Sequence, residues 1–160
     1  MLRLDASTSL QDGRYLSFYN SITPAGVIDD VASLTMRRAP RATWSLGAHY
    51  ARPAGRGTIT FSARFRHVSS YAACIAPDPA ALQAHVIMTD RRCVVEPHAT
   101  LDAALVLAVP VNGIAAKLSL YGRNILDNRG LEAVLPIAGL FTPSEARPPR
   151  QIGTRLDLAF

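Results

Sequence analysis

One pattern constrains this chain more than any other: apolar and polar side chains alternate with a period of two in six segments of nine to eleven residues. In the last segment, 151–160, Ile152, Thr154, Leu156, Leu158 and Phe160 fall on one side. Gln151, Gly153, Arg155, Asp157 and Ala159 fall on the other, because consecutive strand residues point to opposite faces. Residues 2–10 repeat it, with Leu2, Leu4, Ala6, Thr8 and Leu10 against Arg3, Asp5, Ser7 and Ser9. Residues 42–52 set Trp44, Leu46, Ala48 and Tyr50 against Thr43, Ser45, Gly47 and His49. Residues 57–67 show the cleanest alternation, Ile59, Phe61, Ala63 and Phe65 opposing Thr58, Thr60, Ser62, Arg64 and Arg66. The segments 100–109 and 114–124 complete the set, their apolar sides led by Leu105, Leu107, Leu118 and Leu120.

Strands of soluble proteins run to about five or six residues, whereas a tilted strand needs about nine to eleven to cross a bilayer. The connections are equally telling. Segments two and three are joined by 53–56, and segments four and five by a turn at Asn112-Gly113, a strong hairpin signal. The other links, 11–41, 68–99 and 125–150, are long and rich in Pro, Gly, Asp and Arg. Alternating short and long connections match outer-membrane barrels, and such loops count against a compact soluble domain. With residue 160 at the periplasmic side, both short turns fall there and the long loops fall outside. No run of about 18 apolar residues exists, so a transmembrane helix is excluded. Mean hydropathy of +0.13 does not oppose a barrel, whose alternating strands average to near neutrality. The expected fold is therefore all-β, an antiparallel meander of transmembrane β-hairpins. Two alternatives share the alternation: a soluble β-sandwich binding module with one wet face per sheet, and a small complete outer-membrane barrel with further strands at 11–20 and 85–95.

The net charge is +5 and Lys117 is the only lysine. The arginines are scattered, with no basic stripe interleaved with aromatics, so nucleic acid is not an expected partner. No nucleophile elbow, zinc-protease helix, phosphate loop or dinucleotide fingerprint occurs, and neither an enzyme nor a cofactor is expected. Cys74 and Cys93 share the second long link. In an exported chain they read as a disulfide closing about 20 residues, worth roughly 3 kcal/mol, and in a cytosolic chain as free thiols. Their spacing to His49, His67, His85 and His98 suggests no zinc site. His67 and His98 flank one loop and read as ordinary rim residues, while Asp29-Asp30 and Arg37-Arg38 read as solvated. Tyr50 and Phe160 mark one interfacial edge, Trp44 and Phe65 the other. The polar faces carry Arg64, Arg66, Asp102, Arg123, Arg155 and Asp157, signs alternating between strands, which in a lumen would pair with one another.

Three passages carry a family resemblance. Arg38-Ala-Pro-Arg-Ala-Thr-Trp-Ser-Leu-Gly-Ala-His-Tyr50 resembles the segment that enters a late barrel strand in TonB-dependent outer-membrane receptors. Leu118-Ser-Leu-Tyr-Gly-Arg-Asn-Ile-Leu-Asp127 is similar to their near-terminal motif, Gly122-Arg-Asn124 and Asp127 being its most specific part. The closing residues, with Gly153, Leu156, Leu158 and Phe160, resemble the signal read by the barrel-assembly machinery, although Ile152 stands where that signal usually carries a polar residue. The resemblance implies a receptor in the cell outer membrane that imports a siderophore, vitamin or glycan. It implies a barrel of about 22 strands around a plug, of which this chain would be the C-terminal part. The implied partners are outer-membrane lipid, the remainder of the barrel and its plug, the assembly machinery, and the energy-coupling TonB protein through the plug. The polar-face charges listed above would then also contact that plug. Met1-Leu-Arg-Leu-Asp5 opens directly on a strand pattern, so plug and export signal are expected in preceding sequence.

Overall fold

A computed structural model describes residues 1–20, 29–83, 86–134 and 143–160. Six long strands form one antiparallel meander: β1 (Leu2–Leu10), β2 (Ala42–Ala54), β3 (Gly57–Val68), β4 (His98–Val111), β5 (Ile114–Arg123) and β6 (Gln151–Ala159). Each strand is hydrogen-bonded to its sequence neighbours, and β1 and β6 lie at the two edges. The fold is all-β, as the alternation requires.

All four middle strands differ from the sequence expectation at their ends, β3 only by adding Val68. β2 continues through Pro53 to a tight turn at Gly55-Arg56, and β4 starts at His98 and runs through Pro110 to Val111. A proline inside a ladder is tolerated where no neighbour needs its missing N–H. Pro53 lies beyond the last β1 partner, Met1, which bonds Ala51, so nothing there needs its donor. Asn112 and Gly113 both adopt positive φ, 50° and 84°, as a two-residue hairpin of that type requires. β5 stops at Arg123 because Asn124 turns into the left-handed region at φ 46°.

The registers sort the side chains into one apolar and one charged face without a slip. Leu46 lies opposite Ala6 and Phe65, Phe61 opposite Tyr50 and Leu105, and Leu118 opposite Leu107 and Leu156. Nothing among the described residues covers this apolar face. Leu46, Phe61, Leu105, Leu118 and Leu158 remain 42–52% exposed in the middle of the sheet. A β-sandwich needs a second layer over these side chains, and the described residues supply none.

Apart from Val68 at the end of β3, the buried apolar residues lie instead in the long connections. Ala73, Cys74, Cys93, Val95 and Val134 form a cluster, with Tyr71 and Ala76 packed against it. Short ladders support it, Tyr71–Ala72 with Val94–Val95 and Leu131–Val134 with Ser144–Ala146. The first connection is tied in by Ser33 Oγ donating to the Ile87 carbonyl, by the Thr35 N–H donating to Thr89 Oγ1, and by the Arg38 N–H donating to the Ala72 carbonyl. Among the described residues of 11–20 and 85–95, where further barrel strands were possible, only the two-residue strands Tyr19–Asn20 and Val94–Val95 occur.

Candidate functional site

The charged face forms a hollow of about 570 Å³ bordered by residues from all six strands. Its central row places Asp5, Gly47, Arg64 and Asp102 side by side on β1 to β4. Gly47 matters through what it lacks: a Cβ there would collide with the Asp5 carboxylate. Without one, Asp5 reaches across β2 and its Oδ2 lies 3.5 Å from Arg64 Nη2. The pair is solvent-exposed, so it contributes well under about 1 kcal/mol and serves chiefly to set side-chain direction. Glycine plays the same part at Gly153, where a Cβ would meet the Tyr121 ring that lies over it. Arg123 stands 5.9 Å from the centre of that ring. On β6, Arg155 pairs with Asp157 at 2.7 Å.

A larger cavity of about 790 Å³ opens where the charged face meets the long connections. The strands contribute Arg66, Asp102 and Arg123 to its wall, and the connections contribute Arg38, Glu132 and Arg147. Arg147 Nε and Nη1 are enclosed without a hydrogen-bond partner among the described residues. Its guanidinium lies over Gly130, at a place any side chain would need. Buried cationic N–H groups left unpaired are costly, so this corner favours an acceptor.

The segment Gly122-Arg-Asn124-Ile-Leu-Asp127 forms a latch over that cavity. The Asn124 N–H donates to Asp102 Oδ1 at 2.8 Å, holding β5 against β4. Asn124 Nδ2 donates to the carbonyls of Asn128 and Pro148, and its Oδ1 accepts the Asn128 N–H. Asp127 Oδ1 accepts the Arg150 N–H at 3.0 Å, immediately before β6, and Oδ2 accepts from Arg129. The Arg150 N–H first, and then the Arg129 guanidinium, hold the Asp127 carboxyl below the ordinary carboxylate range. Two side chains thus fasten both ends of the last connection to the rims of three strands. Ile125 folds back over Gly122, where a Cβ would clash with it.

Cys74 and Cys93 are joined in a disulfide with Cα atoms 5.1 Å apart, inside the buried cluster of the connections. Beside it, Asp90 accepts the Arg92 N–H and the Arg92 Nε–H, closing the turn that leads to Cys93. The Arg92 side chain above all keeps that carboxyl ionised to lower pH than usual.

The structure thus separates the charged residues singled out from sequence. Asp5, Arg64 and Arg155 line the central hollow, Arg66 reaches the outer cavity, and Asp102 and Arg123 border both, Asp102 also serving the latch. Arg155 and Asp157 pair at the β6 edge. Gly153 is on the charged face, whereas Leu156, Leu158 and Phe160 are exposed on the apolar side. His67 stacks on Trp44 across the apolar face, with ring centres 5.5 Å apart, while His98 lies on the charged face beside Tyr71. They flank one loop and face opposite ways. His85 lies outside the described residues. No cluster of three His, Cys, Asp or Glu able to hold a metal occurs among the described residues. The roles of Gly47, Asn124 and Arg147 were not read from sequence. For Gly47 the signal was a glycine on the charged face between two charged strands.

No family model matches the chain, and no curated protein matches it. Among solved structures its fold is similar to the crystal structure of BauA, the ferric preacinetobactin receptor from Acinetobacter baumannii. The two are 14% identical with a TM-score of 0.52, over 98% of this chain and 25% of that one. The likeness is one of fold, and this chain spans about a quarter of that receptor's length. No described helix is long and apolar enough to cross a membrane, which leaves strands as the possible spanning elements.

Proposed function

We propose that this chain is the C-terminal barrel portion of a TonB-dependent receptor that binds and imports a scarce ligand across the outer membrane. The observation that carries this reading is the uncovered apolar face, backed by a charged hollow on the other side of the same strands. Hydrocarbon is a suitable cover for such a face, and a water-filled or plugged lumen suits the other. The similarity to a ferric preacinetobactin receptor supports a siderophore as the ligand class, ahead of vitamins and glycans. The arginine-lined outer cavity supports an acceptor-rich ligand, bound through Arg38, Arg66, Arg123 and Arg147 rather than transformed. In this reading the protein is no enzyme. The remainder of the barrel and a plug complete the site, the assembly machinery reads Gly153, Leu156, Leu158 and Phe160, and the energy-coupling TonB protein acts through the plug.

Single cysteines test the central point in isolated outer membranes of cells exporting the chain. A water-soluble maleimide should label Ser45→Cys, Ser62→Cys and Ser119→Cys and spare Leu46→Cys, Phe61→Cys and Leu118→Cys. Equal labelling of both sets, or recovery of a soluble monomer without detergent, would reject the reading.

A further inference from the structure

The outer cavity holds both signs of charge. Its walls bring Arg38, Arg66, Arg123 and Arg147 together with Asp102, Glu132 and Glu145. Asp102 is engaged by the Asn124 N–H. Among the described residues the other six form no ion pair, with one another or with any other side chain. Four arginines against three carboxylates leave an excess of one positive charge, counting His98 as neutral. That is too little to favour a polyanion, which would bring its own charges against the carboxylates.

Backbone contacts position the cationic corner. Asn124 Nδ2 donates to the Pro148 carbonyl, and the Arg147 N–H donates to the Gly130 carbonyl at 2.9 Å, which fixes the chain where the Arg147 side chain departs. Gly130 has no Cβ, and this leaves room for the guanidinium. Nε and Nη1 are enclosed there without a partner among the described residues, and such donors call for an acceptor.

Glu132 reaches the same cavity through an irregularity. In the ladder of Leu131–Val134 with Ser144–Ala146, Leu131 pairs with Ala146 and Ala133 with Glu145, so Glu132 is the extra residue of a β-bulge. Bulges re-aim side chains beside binding sites. The Tyr71 hydroxyl donates to the Glu132 carbonyl at 3.3 Å, and Tyr71 packs on the disulfide cluster, so this wall is anchored in the buried part of the connections. Glu145 lines the cavity from the facing strand, two positions before Arg147. Carboxylates on facing strands repel, and a cation between them removes the repulsion.

One cavity thus calls for an acceptor at Arg147 and for a cation a few residues away. We propose that the ligand taken up here is amphoteric, with a carboxylate or similar acceptor at Arg147 and a cationic amino group at Glu132 and Glu145. The inference rests on the receptor reading and names the class of substrate within it.

Three four-carbon probes test it: γ-aminobutyrate carries both charges, succinate two negative ones and putrescine two positive ones. Each is titrated into the isotope-labelled chain, refolded in detergent with its disulfide intact. The Arg147 Nε–H signal, assigned by its loss in Arg147→Lys, is followed by NMR. γ-Aminobutyrate should move that signal and bind about fivefold more tightly than succinate, because a favourable charge contact replaces an unfavourable one. Putrescine should leave the signal in place. Glu132→Gln combined with Glu145→Gln should reverse the order of the two carboxylate probes, whereas the comparison in the parent chain depends on no variant. Succinate binding the parent chain as tightly as γ-aminobutyrate, an order unchanged in the glutamine variant, or an Arg147 signal that no probe moves would each overturn the proposal. None of these results would alter the maleimide pattern, so the receptor reading stands or falls separately.

Discussion

Arginine in place of Leu105 separates hydrocarbon from water as the medium over the apolar face. Leu105 sits in the middle of β4, between Phe61 on β3 and Leu120 on β5, and is 46% exposed. In a bilayer midplane an arginine on a barrel exterior costs about 2–4 kcal/mol, a drop of roughly 30- to 1,000-fold in the folding equilibrium. In water the same change at a half-exposed site forfeits only cross-strand packing, about 0.5–1 kcal/mol. Ala104→Arg, one residue earlier, supplies the control, because Ala104 lies on the charged face opposite Ser62 and Tyr121. The assay is urea unfolding of the chain reconstituted in phosphatidylcholine vesicles, followed by circular dichroism. With a slope of about 2 kcal/mol per molar urea, Leu105→Arg should lower the midpoint by about 1–2 M, and Ala104→Arg by less than about 0.5 M. A Leu105→Arg shift no larger than that of Ala104→Arg would refute hydrocarbon contact at this face.

Asn124→Ala removes three side-chain hydrogen bonds around a residue at positive φ and should cost about 2–4 kcal/mol locally, read as faster protease cleavage in 128–147; unchanged cleavage would deny the latch. Cys74→Ser with Cys93→Ser should weaken the connections by roughly 3 kcal/mol, with hydrogen exchange rising in 69–97 and in 31–38, which is bonded to them, while the six strands keep their protection. Acid should release the latch late. The Asp127 carboxyl has a lowered folded pKa, so its contribution is full above the unfolded value of about 4 and is lost only as pH falls through the folded one. The amide of Arg150, which donates to Asp127, should therefore stay protected at pH 4, and loss of protection above pH 5 would contradict the assignment.

The strands were legible because a period of two survives any environment, whether lipid, water or protein lies against the apolar side. Their ends were less so. The expected segments stop at 52 and 109, just before Pro53 and Pro110, yet each proline continues its strand because it sits past the last neighbour that would need its N–H. The disulfide was legible because both cysteines fall in one connection. The part played by Asp102 was not: its partner is the backbone N–H of Asn124, 22 positions away, and a backbone donor leaves no mark in a side-chain pattern. The opposite facing of His67 and His98 was available in principle. Their numbers differ in parity against a pairing that sets Val68 beside His98, but that pairing had to be known first.

The decisive feature is an inversion within one chain. The sheet leaves its largest apolar side chains uncovered, whereas the connections bury Val95, Cys93 and Leu34 to 3% exposure or less. The total accessible surface, 11068 Å², exceeds by a wide margin the roughly 7,800 Å² expected of a globular protein of this mass. Water alone would satisfy the connections and drive the sheet's apolar face to collapse or associate. Hydrocarbon alone would satisfy that face and strand the carboxylates of Asp90 and Asp127. The proposed reading puts both halves at rest together, with the strands within an apolar layer and the disulfide-tied connections in water beyond it. In that reading the charged face extends the aqueous requirement between the strands themselves and lines a lumen, as the hollow around Asp5, Arg64 and Asp102 would.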